Sequence, residues 1–343
     1  MSNLMKAIVI TEPRKVEIRE IEKPVRKEGE ALLKLLYGGI CGSDLNTFRG
    51  TSAYVSYPRI PGHEFSAEIV EIGENNSNLK VGDKVTCNPY FNCGTCYSCK
   101  RGLVNCCTSN QTMGVQREGA FAQYITMPLE RIYKSEIDPM ELALVEPFCI
   151  SQHGTTRGSV TKGDKVLVIG AGTIGVLAAL SASLKGAEVY IADISPDKLE
   201  YAKKFGVKGV VNSYKENAIE DAVAKFTNGD GFDVTIEAVG LASTFQQAID
   251  AAAFGGRVVL IGVSKQHLDF DFTIIQRKEL NVFGSRNAFK NDFMEIIELV
   301  KKDTPLKDIV TNVYDAGDIE KAFTEFDANA GSMLKVVIDF TKM

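Results

Sequence analysis

No apolar run in these 343 residues reaches the length of about 18 that a membrane-crossing helix needs. The opening residues, Met1-Ser2-Asn3-Leu4-Met5-Lys6, carry no signal-peptide core. Positive charge is also in short supply. The chain has 39 Lys and Arg against 44 Asp and Glu, a net charge of −5 and a pI near 5.5. That balance excludes the basic face by which a protein holds nucleic acid. Internal repeats and low-complexity segments are missing, and histidine is limited to three positions. These absences leave a soluble, cytoplasmic protein whose partner is a small molecule rather than a membrane or a nucleic acid.

What is present is ordinary in bulk and unusual in detail. A 45% hydrophobic and 24% charged composition is that of a soluble globular chain, long enough for two domains. Eight cysteines in such a chain read as metal ligands or reduced thiols rather than disulfides. Half of them crowd into Cys93-Gly94-Thr95-Cys96-Tyr97-Ser98-Cys99 and Cys106-Cys107, a C-x2-C-x2-C-x7-C spacing. Four thiolates complete a tetrahedral zinc shell and leave no position for a substrate, so this is a structural site. Cys106 adjoins Cys107, and spacing does not choose between them as fourth ligand. A zinc ribbon for nucleic acid is disfavoured by the acidic chain and the very short span.

Along the chain, residues 6–10 and 16–20 alternate like strands around Glu12-Pro13-Arg14. Ala31–Tyr37 and Ala67–Gly73 are further strands, with Gly38-Gly39 expected to break the first. The pattern changes after about residue 145. Lys165–Ile169, Val189–Ala192, Val210-Val211, Phe232–Glu237 and Arg257–Gly262 read as strands. Helical stretches at Thr173–Lys185, Pro196–Phe205, 216–227 and 242–252 alternate with them. That alternation implies parallel βαβ units and a doubly wound sheet, an α/β fold. A helix at 291–302 and a strand at Leu334–Phe340 close the chain.

Gly170-Ala171-Gly172-Thr173-Ile174-Gly175 fits G-x-G-x-x-G between a strand and a helix, the context a dinucleotide site requires. Gly170 permits the tight turn, Gly172 lets the backbone approach a pyrophosphate and Gly175 lets the helix pack on the strand. The free N–H groups at the helix start, Thr173 and Ile174 among them, face the anion. Asp193 ends the next strand, where its carboxylate can accept both ribose hydroxyls and repel a 2′-phosphate. No arginine follows closely, so NAD is expected rather than NADP.

A second, sparser ligand set is Cys41, His63 and Glu64. A soft thiolate and an imidazole suit zinc, and three protein ligands with one open position define a catalytic site, where zinc acts as a Lewis acid. His153 and His267 lie outside this set and read as structural or solvated.

Taken together, Gly62-His63-Glu64, the Cys93/Cys96/Cys99/Cys107 lobe and Gly170–Gly175, in that order, resemble the zinc-containing medium-chain dehydrogenases over essentially the whole chain. The resemblance implies a doubly wound Rossmann domain and a mostly-β GroES-like catalytic domain. Residues 1–147 would form the catalytic domain with its structural zinc lobe at 88–110. Residues 148–284 would bind NAD, and 285–343 would return to the catalytic domain. It also implies that Cys41, His63 and either Glu64 or Glu146 hold the catalytic zinc, with Cys107 in the structural one. Glu146, in Leu144-Val145-Glu146-Pro147-Phe148, is similar to a metal-side glutamate of the polyol and sugar-acid branch, which includes sorbitol dehydrogenases. Asn105-Cys106-Cys107, Glu146–Ser151 and Gly284–Ala288 look most like the L-idonate, L-galactonate and L-gulonate 5-dehydrogenases.

The expected activity is therefore hydride transfer from a secondary alcohol of a hexonate to NAD, with a neutral polyol, a polyol phosphate or a simple alcohol as the alternative. Ser43, two residues past Cys41, would hydrogen-bond the substrate oxygen, and Glu64 and Glu146 would alternate as ligands or take up a proton. Asn46 stands where many relatives carry the histidine that ends a proton relay, so the relay must end elsewhere. A sugar-acid carboxylate calls for an arginine fork; Arg286, Arg117 and Arg49 are the candidates, Arg286 first. The family association is a homodimer or homotetramer. A non-catalytic NAD-binding protein is the reading from another class, opposed by the intact ligand set.

Overall fold

The computed structural model describes residues 3–263, 267–302 and 304–343. The chain opens on the hairpin β1 (Leu4–Glu12) and β2 (Lys15–Glu22). Arg14 turns it with φ 65°. Next come β3 (Glu30–Ile40), the helix α1 (Gly42–Arg49), β4 (Glu64–Ile72) and β5 (Lys84–Cys87). The cysteine lobe follows, bracketed by β6 (Tyr90–Phe91) and β7 (Gln111–Thr112), with the single turn α2 (Tyr97–Lys100) inside it. Then come β8 (Tyr124–Pro128), β9 (Ile132–Lys134), α3 (Pro139–Ala143) and α4 (Val145–Arg157).

The middle of the chain alternates strictly: β10 (Lys165–Ile169), α5 (Thr173–Leu184), β11 (Glu188–Asp193), α6 (Pro196–Ala202), β12 (Gly209–Asn212), α7 (Ala218–Thr227), β13 (Phe232–Glu237), α8 (Ala242–Ala251), β14 (Ala252–Leu260), α9 (Thr273–Arg277) and β15 (Asn281–Gly284). After it come α10 (Lys290–Val300), β16 (Val310–Asp315), α11 (Ile319–Ala328) and β17 (Lys335–Asp339).

Two compact units result, one of Met1–Glu146 with Phe289–Met343, the other of Pro147–Ala288. The second holds a six-stranded parallel sheet in the order β12-β11-β10-β13-β14-β15. Strand order reverses beside β10, the switch point at which doubly wound sheets take ligands. β10 is buried on both faces, as its unbroken apolar run Val166-Leu167-Val168-Ile169 requires.

The first unit is built on the order β16-β17-β3-β4-β5-β9, with β8 also on β3. Its core gathers Leu33, Leu35, Phe65, Ile69, Phe121, Phe323, Val336 and Phe340. The last strand lies antiparallel on β3, with Val336 opposite Ile40 and Ile338 opposite Gly38. Strands whose neighbouring residues Lys335 and Ile40 stand 295 apart in sequence thus share one sheet.

One expectation is corrected here. Gly38-Gly39 does not break β3, which runs on to Ile40 with β17 on one side and β4 on the other. The glycines serve close approach instead: a Cβ on Gly38 would sit 2.5 Å from the Phe121 ring, and one on Gly39 2.3 Å from Glu64 Oε2. The strand keeps its ladder while large groups press on its face.

Candidate active site and metal centres

Cys41 follows β3 directly and caps α1, so the strand end fixes its backbone. Asp44, three residues on, closes the cap. One carboxylate oxygen accepts the Cys41 N–H at 3.0 Å and the other accepts the Gly62 N–H at 3.1 Å. Asp44 is 1% exposed, so one buried carboxylate ties the start of α1 to the turn that carries His63. Gly62 adopts φ +95°, and a Cβ there would lie 2.1 Å from Phe121, which makes glycine obligatory before His63. Glu64 then opens β4.

The result brings Cys41, His63 and Glu64 together, with one ligand atom of each lying within 4.8 Å of the others. His63 and Glu64 are buried and Cys41 half-buried. Burial alone would push the His63 imidazole down, but Cys41, Asp44 and Glu146 together hold it well above its usual value. Glu146, at the first turn of α4, is buried and accepts a hydrogen bond from the Tyr90 hydroxyl. Burial, reinforced by the charge of Glu64, pushes its carboxyl up to about 7. His63 Nδ1 and Ser43 Oγ are buried with no hydrogen-bond partner among the described residues. Orphaned polar atoms of this kind are costly unless a ligand satisfies them. A thiolate, an imidazole and a carboxylate converging at a largely buried point, with orphaned polar atoms beside them, fit a zinc ion.

Cys93, Cys96, Cys99 and Cys107 form the second cluster, again with ligand atoms within 4.8 Å of one another. Cys107 is buried and receives the Cys93 N–H at 3.2 Å, while Cys106 is exposed and outside the cluster. The Cys96 N–H points at Cys93 Sγ at 3.3 Å, and backbone donors from Cys99 and Thr108 lower the Cys96 thiol to about 5. Backbone N–H groups aimed at sulfur stabilise thiolate, the form that binds zinc.

In the other unit, the glycine fingerprint divides its labour as the residues suggest. Gly170 has φ +103°, and a Cβ on Gly175 would lie 1.8 Å from Gly170 O. Gly172 caps α5 and has open space where a Cβ would project, so the backbone N–H groups at Thr173 and Ile174 are approachable. Ser151 anchors this helix start by donating to Ile174 O at 2.8 Å. Asp193 accepts the Ala171 N–H at 2.6 Å and the Ser195 N–H at 2.8 Å, which welds the end of β11 to the glycine loop.

Of the arginines proposed for a carboxylate, Arg49 bonds Asp327, which also accepts Arg14 at 3.0 Å. Arg117 stacks on Phe91, its guanidinium carbon 3.6 Å from the ring centre. Arg286 is exposed just after β15. Asn46 lies in α1 and exchanges contacts with Thr51. Three site residues escaped the reading of the sequence: Asp44, Tyr90 and Lys335. Lys335 carried a signal, because it is the charged residue that opens an otherwise apolar run, Val336-Val337-Ile338. A charge so placed needs a buried partner.

Comparison with known proteins agrees with this architecture. The alcohol dehydrogenase GroES-like domain matches residues 27–137, and the zinc-binding dehydrogenase domain matches residues 173–302. An L-galactonate-5-dehydrogenase from Escherichia coli is 33% identical over 338 residues, covering 98% of this chain and 99% of that protein. A sorbitol dehydrogenase from Halalkalibacterium halodurans is 34% identical, covering 97% and 99%. A crystal structure of a short chain alcohol dehydrogenase from Escherichia coli CFT073, complexed with NADH, superimposes with a TM-score of 0.92 at 31% identity, over 99% of this chain and all of that one. The chain belongs to the zinc-type medium-chain alcohol dehydrogenase family. It is a zinc-dependent alcohol or polyol dehydrogenase with a GroES-like domain and a parallel-sheet Rossmann-like domain. Among the described residues no helix is long and apolar enough to cross a membrane.

Proposed function

We propose that this protein oxidises a secondary alcohol of a small polyhydroxylated substrate with NAD, at a site made of Cys41, His63 and Glu64 with Ser43 and Glu146 beside them. The observation that carries this reading is the convergence of three zinc-type donors, two of them on buried residues, within 4.8 Å of one another. Zinc there supplies Lewis-acid polarisation of the alcohol, and the nicotinamide accepts the hydride. The chain's own residues hold the parts. Ser43 Oγ, buried and without a hydrogen-bond partner among the described residues, receives the substrate hydroxyl and starts proton removal. Asp44 fixes the relative placement of Cys41 and His63. Asn46 cannot take a proton, so a proton relay starting at Ser43 would have to end elsewhere. Gly170, Gly172, Thr173, Ile174 and Gly175 cradle the pyrophosphate, with Arg286 beyond β15 as a further cofactor contact. The Asp193 carboxylate selects NAD by excluding a 2′-phosphate. The thiolates of Cys93, Cys96, Cys99 and Cys107 hold a second, structural zinc.

The substrate we assign is a hexonate oxidised at its 5-position, supported by the likeness to L-galactonate-5-dehydrogenase. A neutral polyol or polyol phosphate is the second reading. It is favoured by the engagement of Arg49 with Asp327 and of Arg117 with Phe91, and by the equal likeness to sorbitol dehydrogenase. NADH formation from NAD with hexonates, matching polyols and polyol phosphates decides between them. Preference for one hexonate supports the first reading, and preference for an uncharged polyol replaces it with the second. The proposal includes a cytoplasmic setting, in keeping with eight cysteines and no disulfide. It also includes a homodimer or homotetramer, for which β15, last in the sheet order, offers an edge.

A further inference from the structure

The C-terminal strand contributes a lysine to the candidate metal site. Lys335 opens β17, and the next residue, Val336, lies opposite Ile40, so the lysine sits beside Cys41 in register. Its Nζ lies 2.5 Å from Glu64 Oε2 and 3.3 Å from Ile40 O. The side chains of Lys335 and Glu64 are 3% and 1% exposed. An ammonium so deep costs several kcal/mol in desolvation, and a buried ion pair of this kind is a poor device for stability alone. The same oxygen is confined from the other side, since Gly39 leaves only enough room for a hydrogen there. Glu146, by contrast, is held by the neutral hydroxyl of Tyr90.

We propose that Lys335 is a positioning residue for the metal site: by holding Oε2 of Glu64 against Gly39, it leaves that carboxylate one oxygen to offer the metal and reserves the remaining position for substrate. The proposal rests on the reading of Cys41, His63 and Glu64 as metal ligands. Without Lys335 the freed carboxylate, no longer shared with a cation, closes on the metal with both oxygens. Metal is then held more tightly, and turnover falls because the carboxylate competes with the alcohol. A lysine that merely fastens β17 to β3 would change stability and leave the metal environment alone.

The test uses the full-length protein with Co²⁺ as the probe in place of zinc, and reads the part of the cobalt visible spectrum that Cys41→Ser abolishes. In Lys335→Met, folded by circular dichroism, this d–d absorption should weaken and shift as coordination rises. Cobalt release to a chelator should slow by about 10-fold, and kcat should fall by a similar factor. Lys335→Arg, which keeps the charge, should retain the parent spectrum. Unchanged spectrum and release in Lys335→Met overturn the proposal while leaving the metal site standing, as does faster release. Should Lys335→Met not fold, Glu64→Gln supplies the background: adding Lys335→Met to it should change neither spectrum nor release, and a further change overturns the proposal. If the parent protein shows no Cys41-dependent cobalt band, the metal-site reading itself is overturned, and the proposal with it.

Discussion

Substituting Gly39 by alanine perturbs the site by a single methyl group, and its effect can be worked from the structure. The new Cβ would meet Glu64 Oε2 at 2.3 Å and Glu64 Cβ at 3.3 Å. Ordinary contact requires the oxygen to retreat by about 1 Å. Elsewhere a carboxylate tip would swing away at little cost, but here Lys335 holds that oxygen at 2.5 Å and the surroundings are fully buried. Either the ion pair stretches or the backbone of β3 parts from β4. Overpacking of this kind costs about 1–3 kcal/mol. A 1 Å displacement of a group in the site costs about 10²-fold in turnover. The assays are thermal denaturation and NAD-linked turnover on the best alcohol of the panel, with zinc content measured alongside. A Gly39→Ala protein with unchanged melting temperature and kcat within a factor of about two would show that Glu64 is not fixed where the geometry places it.

Other outcomes follow from the same geometry. Cys107→Ser should release one zinc and lower the melting temperature, whereas Cys106→Ser should retain both metals; elemental analysis separates the two. Asp193→Ala should raise KM for NAD by about tenfold and narrow the preference over NADP, because on the proposed reading the carboxylate would accept the ribose hydroxyls, and it holds the Ala171 N–H at 2.6 Å; comparison of kcat/KM for the two cofactors reads it. Asp327 is held below the usual carboxylate range by its hydrogen bonds from Arg49 and by the charges of Arg49 and Arg14, against burial. A depressed carboxylate stabilises the fold above its unfolded pKa, near 4, and loses that contribution as pH falls through the folded value. Asp327→Asn should therefore cost about 1 kcal/mol at pH 7, and in denaturant titrations the difference from the parent should begin to shrink near pH 4 and be lost only as pH falls further, through the folded value.

Much of this molecule was readable from its sequence because the signals were local. The apolar strand before Gly170, the glycine spacing and Asp193 one strand later lie within a single βαβ unit, and Gly170 and Gly175 make the turn and the close packing their positions suggested. The thiolate lobe was equally plain, since four ligands stand within 15 residues, although only the fold could show that Cys107 turns inward while Cys106 faces water. What the sequence withheld was long-range. Gly38-Gly39 looked like a strand break because glycine usually is one, whereas the pair is there to admit Phe121 and Glu64 from distant segments. Lys335 stands 271 residues from Glu64, and no periodicity links them; only the unpaired charge in an apolar strand hinted at it. The helix α11 and the strand β16 were not anticipated, and both exist to carry β17 back to β3. One arginine partnership was hidden for a similar reason. Arg49 has its carboxylate partner in Asp327, 278 residues away.

The measurement that tests the central claim most directly is an anomalous difference map recorded at the zinc absorption edge from crystals of the full chain. Two peaks per chain are expected, one among Cys93, Cys96, Cys99 and Cys107 and one among Cys41, His63 and Glu64. A single peak in the thiolate lobe, with zinc supplied in excess, would contradict the assignment of Cys41, His63 and Glu64 as the catalytic metal site.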